Sequence, residues 1–372
     1  MSASSTSAER ALAPLPTHLR SDGLRQDRRQ QLPWQQEEFR ILSIDGGGIR
    51  GILPASILTE CERAFTGGTS AGRYFDMIAG TSTGGIIALG LGHGLPASQV
   101  LDLYLKHGGE IFPSKPKRTG WREKMAGWIA LARNVRKVRY RPDVLNELLV
   151  ETFGTSVLGE STRRLVIPTF DGNTKVNVLK TPHHPDFQQD WKQSMVDVAL
   201  ATSAAPTYFP PHKVDEKVYA DGGVWANNPV MLALVDALTC YDLDRHSVRI
   251  LSLGCSSGKL SINEKQINRG GLWDWREVVT AAMDLSGQNA DGQAGLLIGR
   301  ERLLRIDQCD QKKSIALDDY AEAKSALPSL AKELFNRHHA KLQEFFSVAR
   351  PETNAYYGPR SLLETSEPSR LA

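Results

Sequence analysis

The chain has 372 residues, of which 41% are hydrophobic and 23% charged, a balance typical of a globular protein with a large buried core. Its formal net charge of +3 is too close to neutral to indicate a nucleic-acid polymer as a partner. Any basic surface is therefore expected to be local.

Residues 1–37 are rich in Ser, Arg, Gln and Pro and show no apolar period, which predicts a flexible arm that docks, if at all, through residues 32–34. Strands are predicted, in chain order, at residues 39–45, 75–79, 165–170, 176–179, 218–220 and 250–253. Helices are predicted at residues 54–65, 98–112, 141–153 and from residue 194 onward. After residue 272 the pattern turns mostly helical and ends in a long stretch over 318–348.

Strands that alternate with helices of this length favour an α/β fold, with a mostly parallel sheet covered on both faces. We expect one α/β domain over residues 38–272 and a helical C-terminal layer over residues 273–350 packed on the same domain. Residues 351–372 are expected to form a frayed tail.

The cysteines and the apolar runs bear on the cellular compartment. The four cysteines show neither CxxC spacing nor a dense framework, which favours reduced thiols; they are Cys61, Cys240, Cys255 and Cys309. No run approaches the roughly 20 apolar residues of a transmembrane helix, and residues 1–17 do not have the pattern of a signal peptide. We expect a cytoplasmic protein.

The first motif places Ser82 between an apolar run and a helix, in the sequence Gly-Thr-Ser-Thr-Gly. Small residues at Gly80 and Gly84 allow a sharp strand-to-helix turn, with the serine hydroxyl exposed at its apex. The helix N-terminus favours negative charge, which helps an alkoxide or an oxyanion to form. The motif therefore predicts a nucleophilic serine.

The second motif is the glycine-rich loop of residues 45–51, which follows a predicted strand. Successive N–H groups at Gly46, Gly47 and Gly48 would suit an oxyanion hole, with Arg50 orienting the loop or attracting an anionic head group. The loop also satisfies GxGxxG, so a dinucleotide site stays open as an alternative. Against that alternative, Asp45 would lie beside the pyrophosphate, and no acidic residue closes a second strand about 20 residues further on.

The third motif, Asp221 followed by Gly222 and Gly223, comes directly after a predicted strand. By itself Asp221 could be a turn carboxylate that caps the helix beginning near Asn228. Together with Ser82 and the glycine loop, it becomes a candidate catalytic carboxylate. A fourth segment, residues 201–211, predicts a helix that ends in a proline-bounded turn.

These four segments, in this order, resemble the patatin-like phospholipase family over roughly residues 39–255. The resemblance implies a three-layer α/β/α fold and hydrolysis of acyl esters in lipids. It implies a catalytic dyad of Ser82 and Asp221, with an oxyanion hole at the glycine run. Four further glycines would support the motifs, namely Gly80, Gly84, Gly222 and Gly223.

A dyad is chemically sufficient, because a buried carboxylate with a raised pKa can take the serine proton as general base. A conventional triad through His183, His184 or His212 stays open as an alternative to loop histidines with no catalytic role. No cofactor is expected, and no metal, because no cluster of His, Cys and carboxylates has ligand spacing.

Residues 115–141 contain ten Lys or Arg residues and one acid. Tryptophans and apolar residues recur there at helical spacing, which predicts a basic amphipathic helix at a membrane surface. The alternative is a solvated helix face over a packed apolar stripe. The residues singled out for membrane or ligand contact are Trp121, Trp128, Arg133, Arg136 and Lys137.

Within the family, the chain is similar to bacterial phospholipase effectors of cyclic-oligonucleotide antiphage signalling. That similarity implies activation by a cyclic dinucleotide and peripheral action on the inner membrane, with a homo-oligomer as a further expectation. The phosphates of such an activator need cationic partners, which residues 115–141 could supply, as could Arg300, Arg302 and Arg305 on the predicted helical layer. A constitutive esterase or thioesterase, and a catalytically silent binding protein, stay open as alternatives.

Overall fold

An eight-stranded sheet lies at the centre of the computed structural model, which describes residues 30–113, 140–172, 175–206, 208–256, 278–308 and 315–361. Its strands in chain order are β2 (Phe39–Ile44), β3 (Met77–Gly80), β4 (Arg164–Asp171), β5 (Lys175–Lys180), β6 (His212–Val214), β7 (Lys217–Asp221), β9 (Val248–Leu253) and β10 (Leu303–Ile306). Two shorter strands, β1 (Leu32–Pro33) and β8 (Tyr241–Asp242), pair with each other in parallel.

The spatial order of the sheet is β10-β9-β2-β3-β4-β7-β6, with β5 paired to β4. The strands from β10 to β4 are parallel, whereas β5, β6 and β7 are joined in antiparallel pairs. Every residue of β2 and β3 is buried, as expected for central strands covered on both faces. The carboxyl ends of β2 and β3 therefore meet at one edge of the sheet, where the glycine loop and Ser82 follow them.

Helices cover both faces of the sheet. In chain order they are α1 (Ile52–Cys61), α2 (Thr83–Gly92), α3 (Ala97–Ile111), α4 (Asp143–Phe153), α5 (Met195–Ser203), α6 (Gly223–Ala226), α7 (Val230–Cys240), α8 (Val278–Ile298) and α9 (Tyr320–Phe345). The larger apolar core includes α1 to α5 and α9 on one face, and the smaller core includes α7 and α8 on the other. The three-layer α/β/α architecture with a mostly parallel sheet is confirmed.

Each strand and helix predicted before residue 272 has its counterpart among the elements of the structure. The region after residue 272 differs, because β10 extends the sheet by one parallel strand at its edge. Leu304 pairs with Leu251 and Ile306 with Leu253, so the open edge of β9 supplies the hydrogen-bond partners. A four-residue apolar segment carries too little periodicity to reveal this pairing from sequence.

The two ends of the described chain are also held. Residues 32–33 pair with β8, and Trp34 packs against Phe39 and Tyr241 at centroid distances of 4.6 and 5.4 Å, as the docking expectation proposed. At the other end, residues 351–361 do not match the expected fraying. Thr353 N–H donates to the Thr162 carbonyl at 3.1 Å, and Arg163 donates to the Pro351 carbonyl at 2.9 Å.

Candidate active site

Ser82 occupies the turn between β3 and α2 with φ 55° and ψ −121°. This left-handed conformation is strained for a residue with a side chain and is typical of functional sites. The turn is closely packed, because an added Cβ at Gly80 would lie 2.1 Å from the Gly84 carbonyl oxygen. An added Cβ at Gly84 would lie 2.3 Å from the Ile44 carbonyl oxygen. Both flanking glycines are thus required by the sharp turn that exposes the hydroxyl.

Asp221 is the last residue of β7, and its carboxylate accepts a hydrogen bond from the Ser82 hydroxyl. It also accepts the Gly223 N–H at 2.7 Å, so it fixes its own turn as well as facing the serine. Burial raises the pKa of Asp221 to about 6, although both hydrogen bonds act in the opposite direction. A carboxylate with this pKa is suited to general-base chemistry near neutral pH.

The segment of residues 201–211 holds both candidate catalytic residues. The Thr202 hydroxyl accepts the Ser82 N–H at 3.1 Å and donates to the Pro168 carbonyl at 2.8 Å. The Ala204 carbonyl accepts the Asp221 N–H at 3.0 Å. Sequence analysis identified this segment without its positioning role, because that role depends on contacts between distant parts of the chain.

In the glycine loop, the three predicted donors are not equivalent. The Gly46 N–H donates to the Asn227 carbonyl at 3.0 Å, so it is already engaged. The N–H groups of Gly47 and Gly48 have no hydrogen-bond acceptor among the residues that the structure describes. Gly48 has φ +57°, and a Cβ added there would lie 2.4 Å from the Leu317 carbonyl oxygen.

Arg50 is only 3% exposed and supports this loop from below. Its Nε donates to the Gly47 carbonyl at 3.3 Å, and its Nη1 donates to the Ser256 carbonyl at 3.1 Å. The orienting role suggested for Arg50 thus has a structural basis in these two hydrogen bonds.

A pocket with about 770 Å³ of empty space, part of it open to solvent, joins Ser82, Asp221 and the glycine loop. Its remaining wall is mostly apolar, with side chains from α2, α3, α4 and the turn after α5. They include Ile86, Ile111, Phe112, Leu145, Tyr208 and Phe209. An acyl chain placed there would bring its ester carbonyl to the serine while burying its methylene groups.

The three histidines considered for a triad have other partners. Both ring nitrogens of His183 are engaged, Nε2 with Asp236 at 2.8 Å and Nδ1 with the Thr181 hydroxyl at 2.8 Å. His184 Nε2 lies 3.0 Å from the Gln30 carbonyl, and His212 Nε2 lies 2.9 Å from Asp197. None of the three lines the pocket, so the geometry does not favour a triad through them.

One grouping of potential metal ligands in the described residues was not visible in the sequence. His183, Asp236 and Cys240 place their ligand atoms within 4.8 Å of one another in the interior. Lys180 forms a salt bridge with the same Asp236 carboxylate, and its ammonium group disfavours a cation at that position. These residues form a buried polar cluster between β5 and α7.

The cations suggested for phosphate binding differ in their surroundings. Arg305 lies on β10 rather than on a helix, and its guanidinium pairs with Asp45, Asp291 and Asp307. It is therefore not available to an activator. Arg300 and Arg302 lie in the short turn before β10. Trp121, Trp128, Arg133, Arg136 and Lys137 lie outside the described residues.

A family model described as patatin-like phospholipase matches residues 42–234, more than half of the chain. The chain belongs to the patatin-like phospholipase family. The match includes the glycine loop, Ser82 and Asp221, so membership in this family removes the dinucleotide-binding alternative. The chain is accordingly a lipid acyl hydrolase. The strands β9 and β10 and the helices α8 and α9 lie beyond the matched residues.

Three relatives place the chain within the patatin-like phospholipases. It is 36% identical to a "cGAMP-activated phospholipase" of Vibrio cholerae serotype O1, across 67% of this chain and 74% of that one. It is 35% identical to a "cGAMP-activated phospholipase" of Escherichia coli strain TW11681, across 62% of this chain and 65% of that one. It is also 35% identical to "Patatin-like protein 2" of Arabidopsis thaliana, across 63% of this chain and 64% of that one.

Proposed function

We propose that this patatin-like phospholipase cleaves fatty-acyl esters of membrane phospholipids with Ser82 as nucleophile and Asp221 as general base. The observation that carries the proposal is the hydrogen bond from the strained Ser82 to a buried carboxylate of raised pKa, at the end of an apolar pocket. The N–H groups of Gly47 and Gly48 form the oxyanion hole. Gly46 contributes to the shape of the loop, because its own N–H is already bonded.

The reaction proceeds in two steps. In the first, Asp221 takes the Ser82 proton while Oγ attacks the ester carbonyl, and the proton then passes to the departing lysophospholipid oxygen. In the second, Asp221 removes a proton from water, which attacks the acyl-serine and releases the fatty acid. The oxyanion of each tetrahedral intermediate is stabilised by the free glycine N–H groups.

The pH dependence of hydrolysis tests the role assigned to Asp221. Only the ionised carboxylate can accept the serine proton, and the pKa of Asp221 is about 6. We expect kcat/KM to be constant above pH 7 and to fall about tenfold per pH unit well below pH 6. The measurement is the initial rate on a soluble short-chain ester between pH 4.5 and 8.5.

Two features guard this experiment. Circular dichroism at each pH separates titration of the base from acid unfolding. A rate that keeps a single ionisation near the ordinary histidine pKa, and that is lost in His183→Ala, His184→Ala or His212→Ala, would contradict the dyad and restore the triad.

The activator is inferred from the relatives. Two of them carry names that state activation by cGAMP, and a cytosolic phospholipase without a regulator would attack the membrane of its own cell. We infer that a cyclic dinucleotide switches on hydrolysis here too. Arg300 and Arg302, or residues 115–141, are the proposed partners of its phosphates.

Calorimetry with a panel of cyclic dinucleotides, run beside release of fatty acid from phospholipid vesicles, tests this inference. We expect cGAMP or a close analogue to bind and to raise a low basal rate by at least tenfold, an increase of the size that coupling between two sites commonly gives. Ser82→Ala serves as control, because it should bind the activator without releasing fatty acid. Full basal activity together with no binding would leave a constitutive lipase.

We further propose that the enzyme acts peripherally on the inner membrane, since no helix in the described part of the chain is long and apolar enough to cross a bilayer. The basic residues 115–141 would contact anionic lipid, each cation contributing about 1 kcal/mol. A broader esterase or thioesterase is the alternative, because the apolar pocket suits any acyl chain. Mass spectrometry of the products from mixed phospholipids, simple esters and thioesters discriminates between them.

A further inference from the structure

Arg305 lies near the glycine loop but comes from a strand outside the residues matched by the family model. Its Nη1 and Nη2 donate to the two carboxylate oxygens of Asp45 at 3.0 and 2.7 Å. The same side chain contacts Asp291 at 3.2 Å, Asp307 at 2.8 Å and the Ser252 hydroxyl at 2.9 Å. All three nitrogens of the guanidinium are therefore engaged.

This cluster has more negative than positive groups, because one guanidinium faces three carboxylates. Asp45 is only 3% exposed, and burial raises the pKa of its carboxyl while Arg305 opposes that shift. Without the arginine, Asp45 would have to take up a proton or move away from Asp291 and Asp307. Buried ion clusters of this kind add little to stability compared with apolar packing, so their contribution to positioning is of interest.

Asp45 connects the cluster to the candidate oxyanion hole. It directly precedes Gly46 in the chain, and its N–H donates to the Leu253 carbonyl at 3.0 Å. At the other end of the loop, the Ile49 N–H donates to the Leu317 carbonyl at 2.9 Å. The loop is thus held at its start by Arg305 and at its end by Leu317, both from the C-terminal part of the chain.

We propose that Arg305 is a positioning residue, which fixes the glycine loop through Asp45 so that the Gly47 and Gly48 N–H groups point to the oxyanion. The inference rests on the proposed function, because it requires those two groups to act in the reaction. A shift of about 1 Å in such donors can cost 10²-fold in rate without affecting substrate binding. The role is therefore visible in kcat rather than in KM.

The test compares Arg305→Gln and Arg305→Lys with Arg249→Gln, in hydrolysis of p-nitrophenyl butyrate by the full chain. Arg249 is a matched control on the neighbouring strand β9, paired with Glu38 and Glu344 but not with the loop. We expect kcat to fall by roughly 10- to 100-fold in the Arg305 variants with KM within about twofold, and to stay unchanged in Arg249→Gln. The pH at which the rate is half-maximal should not move, because Arg305 does not contact Asp221.

A double-mutant comparison separates the loop from general destabilisation. An added Cβ at Gly47 would lie 2.4 Å from the Cys255 Cβ, so Gly47→Ala by itself should displace the loop. If Arg305 acts through the loop, adding Arg305→Gln to Gly47→Ala should cost little more than the slower single variant. Losses that multiply in full, or a change confined to KM, would overturn the proposal.

Folding and function can be distinguished from this role. If Arg305→Gln fails to fold because three carboxylates lose their partner, Arg305→Lys and Asp45→Asn carry the test. A folded Arg305→Lys with the kcat of the parent protein would overturn the inference. If Ser82→Ala is inactive while the Arg305 variants keep their kcat, only this inference fails. If Ser82→Ala itself keeps its activity, the proposed function fails with it.

Discussion

We expect Ser82→Ala to abolish acyl-ester hydrolysis, lowering kcat by about 10⁴- to 10⁶-fold, as the loss of a serine nucleophile does in other hydrolases. No other group can take its place in the pocket, because the acyl-enzyme forms on its Oγ. The fold should be retained, since the Ser82 side chain is small and its backbone N–H keeps the bond to Thr202. The measurement is fatty-acid release from phospholipid vesicles and from a soluble ester.

Ser56→Ala is the control for this variant. Ser56 is another buried serine, 5% exposed, whose hydroxyl has no partner among the described residues, and it lies on α1 away from the pocket. Its removal should leave both rate and stability nearly unchanged. Ser82→Gly should be as inactive as Ser82→Ala but more stable, because glycine adopts φ 55° without strain. Undiminished turnover by folded Ser82→Ala would exclude this serine as nucleophile.

We expect Asp221→Asn to be almost as damaging, with kcat reduced by about 10³-fold or more, because an amide cannot accept the serine proton. The amide can still receive the Gly223 N–H, so the turn should keep its geometry. The variant should show no ionisation near pH 6 in whatever residual rate remains. Pre-steady-state release of product measures acylation and deacylation separately, and both should slow.

Stability provides an independent check on Asp221. Its pKa is higher in the folded protein than the ordinary value of 3.8, so the folded state binds the proton more tightly. Above pH 6 the carboxylate therefore costs stability, and that cost disappears as the pH falls through 6. Asp221→Asn should accordingly melt at least as high as the parent protein at pH 8, whereas a general structural defect would lower the melting temperature.

Asp215→Asn is the matched control for the carboxylate. It lies in the turn of the β6–β7 hairpin with φ 51°, a conformation that asparagine tolerates well. The change removes one negative charge from the same hairpin without touching the pocket. Equal losses in Asp215→Asn and Asp221→Asn would show that the charge of the hairpin, rather than a general base, controls the rate.

Arg305 also bears on how this family builds its oxyanion hole. The family model ends at residue 234, yet two contacts that hold the glycine loop come from residues 305 and 317. The C-terminal part of the chain is thus attached to the loop on which the proposed chemistry depends. A change of structure there would reach the loop directly, which makes this region the place to follow when an activator is added.

The sequence by itself determined the fold class and the two residues with the greatest consequence. Strands, helices and the turns at Ser82 and Asp221 depend on neighbouring residues, because apolar periodicity and small residues act over a few positions. Those patterns predicted Ser82, Asp221 and the glycine loop together with the family. The basic helix over residues 115–141 stays a prediction, since it lies outside the described residues.

Only the tertiary structure decided which groups are free to act. Gly46 looked equal to its two neighbours until the Asn227 carbonyl proved to occupy its N–H. The three histidines stayed open as bases until each was found beside a partner elsewhere. Arg305 looked like a phosphate ligand on a helix, whereas pairing with the open edge of β9 makes it a strand residue beside Asp45. The physical reason is the same throughout: hydrogen bonds and ion pairs join residues that are close in space and far apart in the chain, so no local pattern records them.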